Sequence, residues 1–134
     1  MEIQIHNENG RVPVTVLQVH GKIDSSTYQA FESQAEELIA NGARYILIDL
    51  SDCRYISSAG FRALNHIFKQ LRSVHQDVNV TDEGPRKGIG AGSNKSAHLK
   101  LLNLSQEIKT VFEISGFDMY IDTFMDMKTA IASF

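Results

Sequence analysis

The chain is 134 residues long, 43% hydrophobic and 22% charged, a size and composition that can bury one core without disulfides or a structural metal. A net charge of −3 removes the electrostatic case for direct nucleic-acid binding, and the single cysteine, Cys53, excludes an internal disulfide. No apolar run approaches the length of a bilayer span, and the opening MEIQIHNENG lacks the basic and apolar order of a signal segment, so a single cytoplasmic domain over 1–134, without membrane insertion, is expected.

In chain order, the first elements are two strands, at about residues 2–7 and 12–20. The second alternates around Val12, Val14 and Val16. The link Asn7-Glu8-Asn9-Gly10 reads as the turn of an antiparallel hairpin. Gly21 to Thr27 follows, with Asp24, Ser25 or Ser26 placed to cap a helix. That helix carries Phe31, Ala35, Leu38 and Ile39 on one face and stops at Asn41-Gly42.

Tyr45 to Leu50 is an apolar, β-branched run suited to a central parallel strand, which Ser51 and Asp52 are expected to end. A short apolar step at Tyr55 and Ile56 leads to Ser57-Ser58-Ala59-Gly60. From Phe61 the spacing turns helical, since Phe61, Leu64, Ile67, Phe68 and Leu71 fall on one face. Ser57 and Ser58 therefore sit at a helix N-terminus. Backbone N–H groups there lack internal partners and the helix dipole is positive, so a hydroxyl can act as a cap, a nucleophile or a phosphoryl acceptor.

Asp77 to Ser96 contains Pro85 and four glycines and has no sustained apolar pattern after Val80. A flexible inserted loop is expected at about residues 79–97, with Val78 and Val80 as a possible edge element. Gly90 to Ser96 has the Lys-Ser ending of a phosphate-binding loop, but Asn94 replaces the glycine before Lys95 and no buried strand precedes it. A surface loop offering Arg86, Lys87 and Lys95 to a partner is the better reading. A strand at His98 to Leu102, a helix from Ser105 to Ser115 stopped by Gly116, a brief strand at Met119 to Ile121 and a last helix opened by Asp122 or Thr123 complete the order. The helix from Ser105 carries Ile108, Val111, Phe112 and Ile114, and the last carries Met127, Ala130 and Ile131. Strand and helix alternation from Val12 onward implies parallel crossovers, and hence an α/β fold with a small mixed sheet and about four helices.

Strand, Asp-Leu-Ser, Tyr-Ile, Ser-Ser-x-Gly and an apolar helix together resemble the STAS domain, specifically the bacterial anti-sigma factor antagonists. Gly21-x-Ile23-Asp24 before a helix, and Val111-Phe112-x-x-x-Gly116 before a short strand, resemble the same family, so the likeness covers most of the chain apart from the insertion. It implies an open sheet with helices mainly on one side. It also implies a hydroxyl phosphorylated by a partner anti-sigma factor that is itself a serine protein kinase. That position falls on Ser58, with Ser57 as the alternative acceptor; the commonest pattern has Asp where Ser57 stands and Ser where Ala59 stands. Gly60 and Phe61 match the family's glycine and large apolar residue. The partner-binding surface implied comprises Asp24, Ser25, Ser26, Thr27, Ser57, Ser58, Gly60, Phe61 and Arg62, and a serine phosphatase would reset the switch.

No cofactor or metal is expected. The five histidines show no pair at metal-ligand spacing, and His66 and His75 are too far apart for one site on one helix. Gly-x-Ser-x-Gly is absent. Cys53 lies beside Arg54, which could lower its pKa. The rival classes are a non-switching STAS scaffold, such as a subunit of a signalling or lipid-transport complex, and a small enzyme using Cys53 or Ser58, for which no general base is placed by the sequence. Binding rather than catalysis is the expectation, and no surface singles out an oligomeric state.

Overall fold

The structure, a computed structural model, describes residues 1–74 and 95–134. The insertion's Val78, Val80, Arg86 and Lys87, and Gly90 to Asn94 of its phosphate-loop-like stretch, lie outside the described residues. The described elements are β1 (Glu2–Asn9), β2 (Pro13–Ile23), α1 (Tyr28–Ala40), β3 (Ile46–Ile56), α2 (Ser58–Val74), β4 (Leu99–Leu102), α3 (Gln106–Ile114), a 3-10 turn (Phe117–Met119), β5 (Asp122–Phe124) and α4 (Met127–Ala132).

The strands lie in one sheet in the order β1-β2-β3-β4-β5. β1 runs antiparallel to β2, and the other three pairings are parallel, with Leu17 beside Ile48 and Ile48 beside Leu101. Spatial order equals chain order, so each of the three parallel crossovers steps in the same direction. The right-handed rule for such units then places α1, α2 and α3 on the same face. Packing agrees: Phe31, Leu64 and Phe112 join Leu17, Ile48 and Leu101 in one core cluster. On the opposite face Ala130, Ile131 and Phe134 cover Val14, Val16, Leu47 and Leu102. The mixed sheet with helices mainly on one side is the architecture expected.

Several boundaries differ from the sequence reading, each for a pairing reason. β1 runs through Asn9, which pairs with Pro13, and Gly10 donates to the Val12 carbonyl at 3.1 Å, so the turn lies later than Asn7. Ser51 and Asp52 do not end β3. The strand continues to Ile56 because β2 stays alongside it through Ile23, across two register shifts. Within that extension Cys53 and Ile56 are buried while Ser51 and Asp52 face outward. Thr27, rather than Asp24, Ser25 or Ser26, occupies the cap position of α1, without a capping side-chain bond.

Near the C-terminus, Phe117–Met119 coil into a 3-10 turn and the last strand forms at Asp122–Phe124, three residues later than expected, because β4 supplies its pairing partner there. Asp126, not Asp122 or Thr123, opens α4, its carboxylate accepting from the Thr129 backbone N–H at 2.9 Å. On α3, Ile108 and Phe112 are buried but Val111 and Ile114 are exposed, so its inward face is narrower than the apolar spacing implies. Lys95 of the insertion pairs with Asp122 at 3.2 Å.

Candidate functional site

The β2–α1 and β3–α2 junctions lie side by side at one end of the sheet, because Ile23 and Ile56, the last residues of their strands, are register partners. The backbone N–H of Ser57 donates to the Ile23 carbonyl at 2.8 Å, which ties the second junction to the first. Gly60 completes the joint. A Cβ on it would lie 2.6 Å from Ile56 Cγ2 and 2.9 Å from the Ile23 carbonyl oxygen, so only glycine lets the first turn of α2 approach both strands this closely.

At the first junction Asp24, Ser26 and Thr27 bond to one another and to the backbone. The Asp24 carboxylate accepts from the Ser26 N–H at 2.9 Å and the Ser26 hydroxyl at 2.7 Å, and lies 3.2 Å from Thr27 Oγ1. Thr27 Oγ1 donates to the Lys22 carbonyl at 2.8 Å and accepts from the Asp24 N–H at 2.9 Å. The Ser26 hydroxyl bond leads the causes that hold the Asp24 carboxyl below its ordinary pKa, followed by the Ser26 N–H. The Ser25 hydroxyl is exposed with no bond of its own among the described residues.

At the second junction the two serines part ways. Ser57 caps α2: its hydroxyl accepts from the Gly60 N–H at 3.3 Å, and its carbonyl receives the Phe61 N–H at 3.0 Å. Ser58, the first residue of α2, is exposed, and its hydroxyl makes no hydrogen bond among the described residues. The first turn of α2 carries no acidic side chain to compensate the positive end of the helix dipole.

Ser58 and Arg62 line one shallow groove of about 310 Å³ with Phe61, Asn65, Val111, Ser115 and Phe117. Arg62 is exposed and pairs with no carboxylate among the described residues. Gly60 and Phe61, expected on the partner-binding surface, are both buried. Gly60 seats the helix, and Phe61 stacks on Phe117 at 5.7 Å between ring centres, so both shape the surface from beneath. Of the expected site residues, the structure therefore brings together Asp24, Ser25, Ser26, Thr27, Ser57, Ser58 and Arg62 at the surface. Val111, Ser115 and Phe117 escaped the sequence reading. Their one local signal is an apolar residue, Val111, on a short helix whose inward face is already filled by Ile108 and Phe112.

Cys53 is buried, and burial pushes its thiol pKa up, so the lowering that Arg54 could have caused does not prevail. Its Sγ lies 3.5 Å from the Tyr55 carbonyl. Away from the junctions, α1 and α2 bring Glu32, Glu36 and His66 within one potential coordination sphere, which a search for histidine pairs along the sequence does not detect.

The sequence profile of the STAS domain matches residues 3–82. The chain belongs to the STAS family. The match spans both junctions, Gly21 to Thr27 and Ile56 to Arg62 alike. A protein of Bordetella bronchiseptica named as an anti-sigma factor antagonist, BtrV, is 28% identical over 116 residues, covering 87% of this STAS chain and 82% of its own. Among solved structures, an anti-sigma factor antagonist from Mycobacterium paratuberculosis superposes with a TM-score of 0.67 at 19% identity, over 97% of this chain and 94% of that one. The Bacillus cell fate determinant SpoIIAA, in its phosphorylated form, gives 0.64 at 17% identity, over 97% and 96%. At these identities the two structures establish a shared fold.

Proposed function

We propose that this STAS domain is an anti-sigma factor antagonist that works as a phosphorylation-controlled binding protein in the cytoplasm, with no catalysis of its own. Unphosphorylated, the joined junctions from Asp24 to Thr27 and from Ser57 to Arg62 dock an anti-sigma factor that is also a serine kinase, and the kinase's sigma factor or other client is released. Phosphorylation of Ser58 places a charge of roughly −1.5 to −2 at the centre of that surface, where the partner must close over it. Added bulk and the cost of desolvating a dianion then disfavour the complex. Arg62, lining the same groove, and the uncompensated N-terminus of α2 hold the phosphate locally, so the free domain keeps its fold. A serine phosphatase resets the switch.

The observation that carries this reading is the division of labour between adjacent hydroxyls: Ser57 is committed to the helix cap while Ser58 stands exposed at the first helical residue. The names carried by BtrV and by the solved neighbours support the partner class. Co-purification from the native host tests it, with wild type, Ser58→Ala and Ser58→Asp as baits and circular dichroism verifying folding. Wild type and the alanine variant retain a kinase-like partner, and the aspartate variant loses it. Retention by all three variants would instead make the chain a non-switching scaffold.

A further inference from the structure

We propose that Glu32 and Glu36 of α1 and His66 of α2 form a binding site for a divalent metal of the zinc class, a site that clamps the two helices together. The two glutamates stand four residues apart and so share one face of α1. His66 enters from the facing helix, its Nε2 2.9 Å from Glu36 Oε2. One ligand atom from each of the three residues lies within 4.8 Å of the other two. A tetrahedral zinc ion bound at about 2.0–2.2 Å needs ligands roughly 3.3 Å apart, a spacing between the 2.9 Å of the His66 and Glu36 pair and the 4.8 Å that bounds the set.

The donor set selects the ion. One imidazole nitrogen and two carboxylate oxygens suit zinc, whereas magnesium and calcium favour oxygen donors throughout. Gln70, one turn beyond His66 on α2, donates to Glu36 Oε2 at 3.4 Å and serves as the outer-shell partner that orients this ligand. The His66 to Glu36 contact requires a hydrogen between its two heavy atoms. The metal replaces it, and a neutral His66 then carries its N–H on Nδ1 instead, so the ring passes from one tautomer to the other without net loss of a proton. Both side chains are partly exposed, which gives the ion a path from solvent and leaves the fourth position to water.

The ligands link the two helices that lead away from the junctions. α1 begins at Tyr28, just after the Asp24 to Thr27 junction, and α2 begins at Ser58. An ion between them therefore fixes the relative placement of the helices that carry both junctions. The site does not depend on Ser58 being phosphorylated, and it stands or falls separately.

Calorimetric titration of the chelator-treated full chain with zinc chloride tests the proposal, on wild type, Glu36→Gln and His66→Ala, with thermal melts confirming that each variant is folded. Wild type binds one ion per chain and melts at a higher temperature with zinc than without, whereas each variant loses affinity by about tenfold or more, since even outer-shell losses cost that much. Histidine side-chain resonances of the wild type provide a readout that needs no variant: zinc perturbs His66 before the other histidines. Absence of saturable binding, unchanged affinity in both variants, or zinc reporting first on a different histidine would each overturn the site.

Discussion

The two junctions at one end of the sheet are built from the same residue types and differ in how their polar groups are engaged. Between Asp24 and Thr27 the Ser26 hydroxyl donates to the Asp24 carboxylate, and the Thr27 hydroxyl donates to the Lys22 carbonyl while accepting from the Asp24 N–H. Between Ile56 and Arg62 a single hydroxyl, that of Ser57, does the capping, and its neighbour Ser58 stays unbonded among the described residues. A closed network holds its shape and an unbonded hydroxyl on a helix N-terminus is available for chemistry. The first junction is thus internally bonded, and the second leaves the hydroxyl that the proposed switch uses exposed.

The largest expected effect comes from breaking the joint between them. Gly60→Ala drives a methyl against the Ile23 carbonyl, which is backbone and cannot rotate away. Urea denaturation should register a loss of about 1–3 kcal/mol, despite the better helix propensity of alanine. Next, Thr27→Val keeps the side-chain shape but removes the hydroxyl that bridges Lys22 and Asp24, and should cost about 1–2 kcal/mol in the same assay.

The contrast between neighbours is sharper still. Ser57→Ala loses the cap of α2 and should destabilise by about 0.5–2 kcal/mol, whereas Ser58→Ala should stay within about 0.5 kcal/mol of wild type. Equal costs for the two substitutions would erase the distinction. The smallest effect is electrostatic. Asp24 titrates below its ordinary value of 3.8, so the order it brings to the first junction is fully present above that value and is lost as pH falls through the lowered folded pKa. Following the Asp24 carboxyl by NMR, Ser26→Ala should move its titration back upward, because the Ser26 hydroxyl is the leading cause of the shift.

Local patterns made some of this structure legible. Alternation from Val12 onward marked β2, whose Val14 and Val16 are covered by Ala130, Ile131 and Phe134, and the apolar stripe from Phe61 to Leu71 marked α2, whose face packs against the sheet. Features that depend on a distant partner stayed hidden. The extension of β3 past Asp52 exists because Gly21 to Ile23 run beside it, and β5 exists because β4 offers its edge. Neither partner is within sight of the segment it organises. The one-sided placement of α1, α2 and α3 follows from strand order, which no single helix encodes.

At the site, the family resemblance put the acceptor on Ser58 with Ser57 as the alternative, while local chemistry alone left the two hydroxyls alike until one accepts the Gly60 N–H. Gly60 and Phe61 entered the partner-binding set through the resemblance, yet both are buried, Phe61 as its place on the apolar face of the helix implies. Glu36 and His66 lie 30 residues apart, and only the packing of α1 on α2 makes them neighbours.

Site mapping after phosphorylation tests the central assignment most directly. The purified chain and its Ser57→Ala and Ser58→Ala variants would be incubated with ATP and an extract of the native host, and modified residues located by tandem mass spectrometry. Phosphate on Ser58 in the wild type and in Ser57→Ala, and its loss in Ser58→Ala, is the predicted result. Phosphate on Ser57, or an unmodified wild-type chain, would contradict the division between the capping serine and the reactive one.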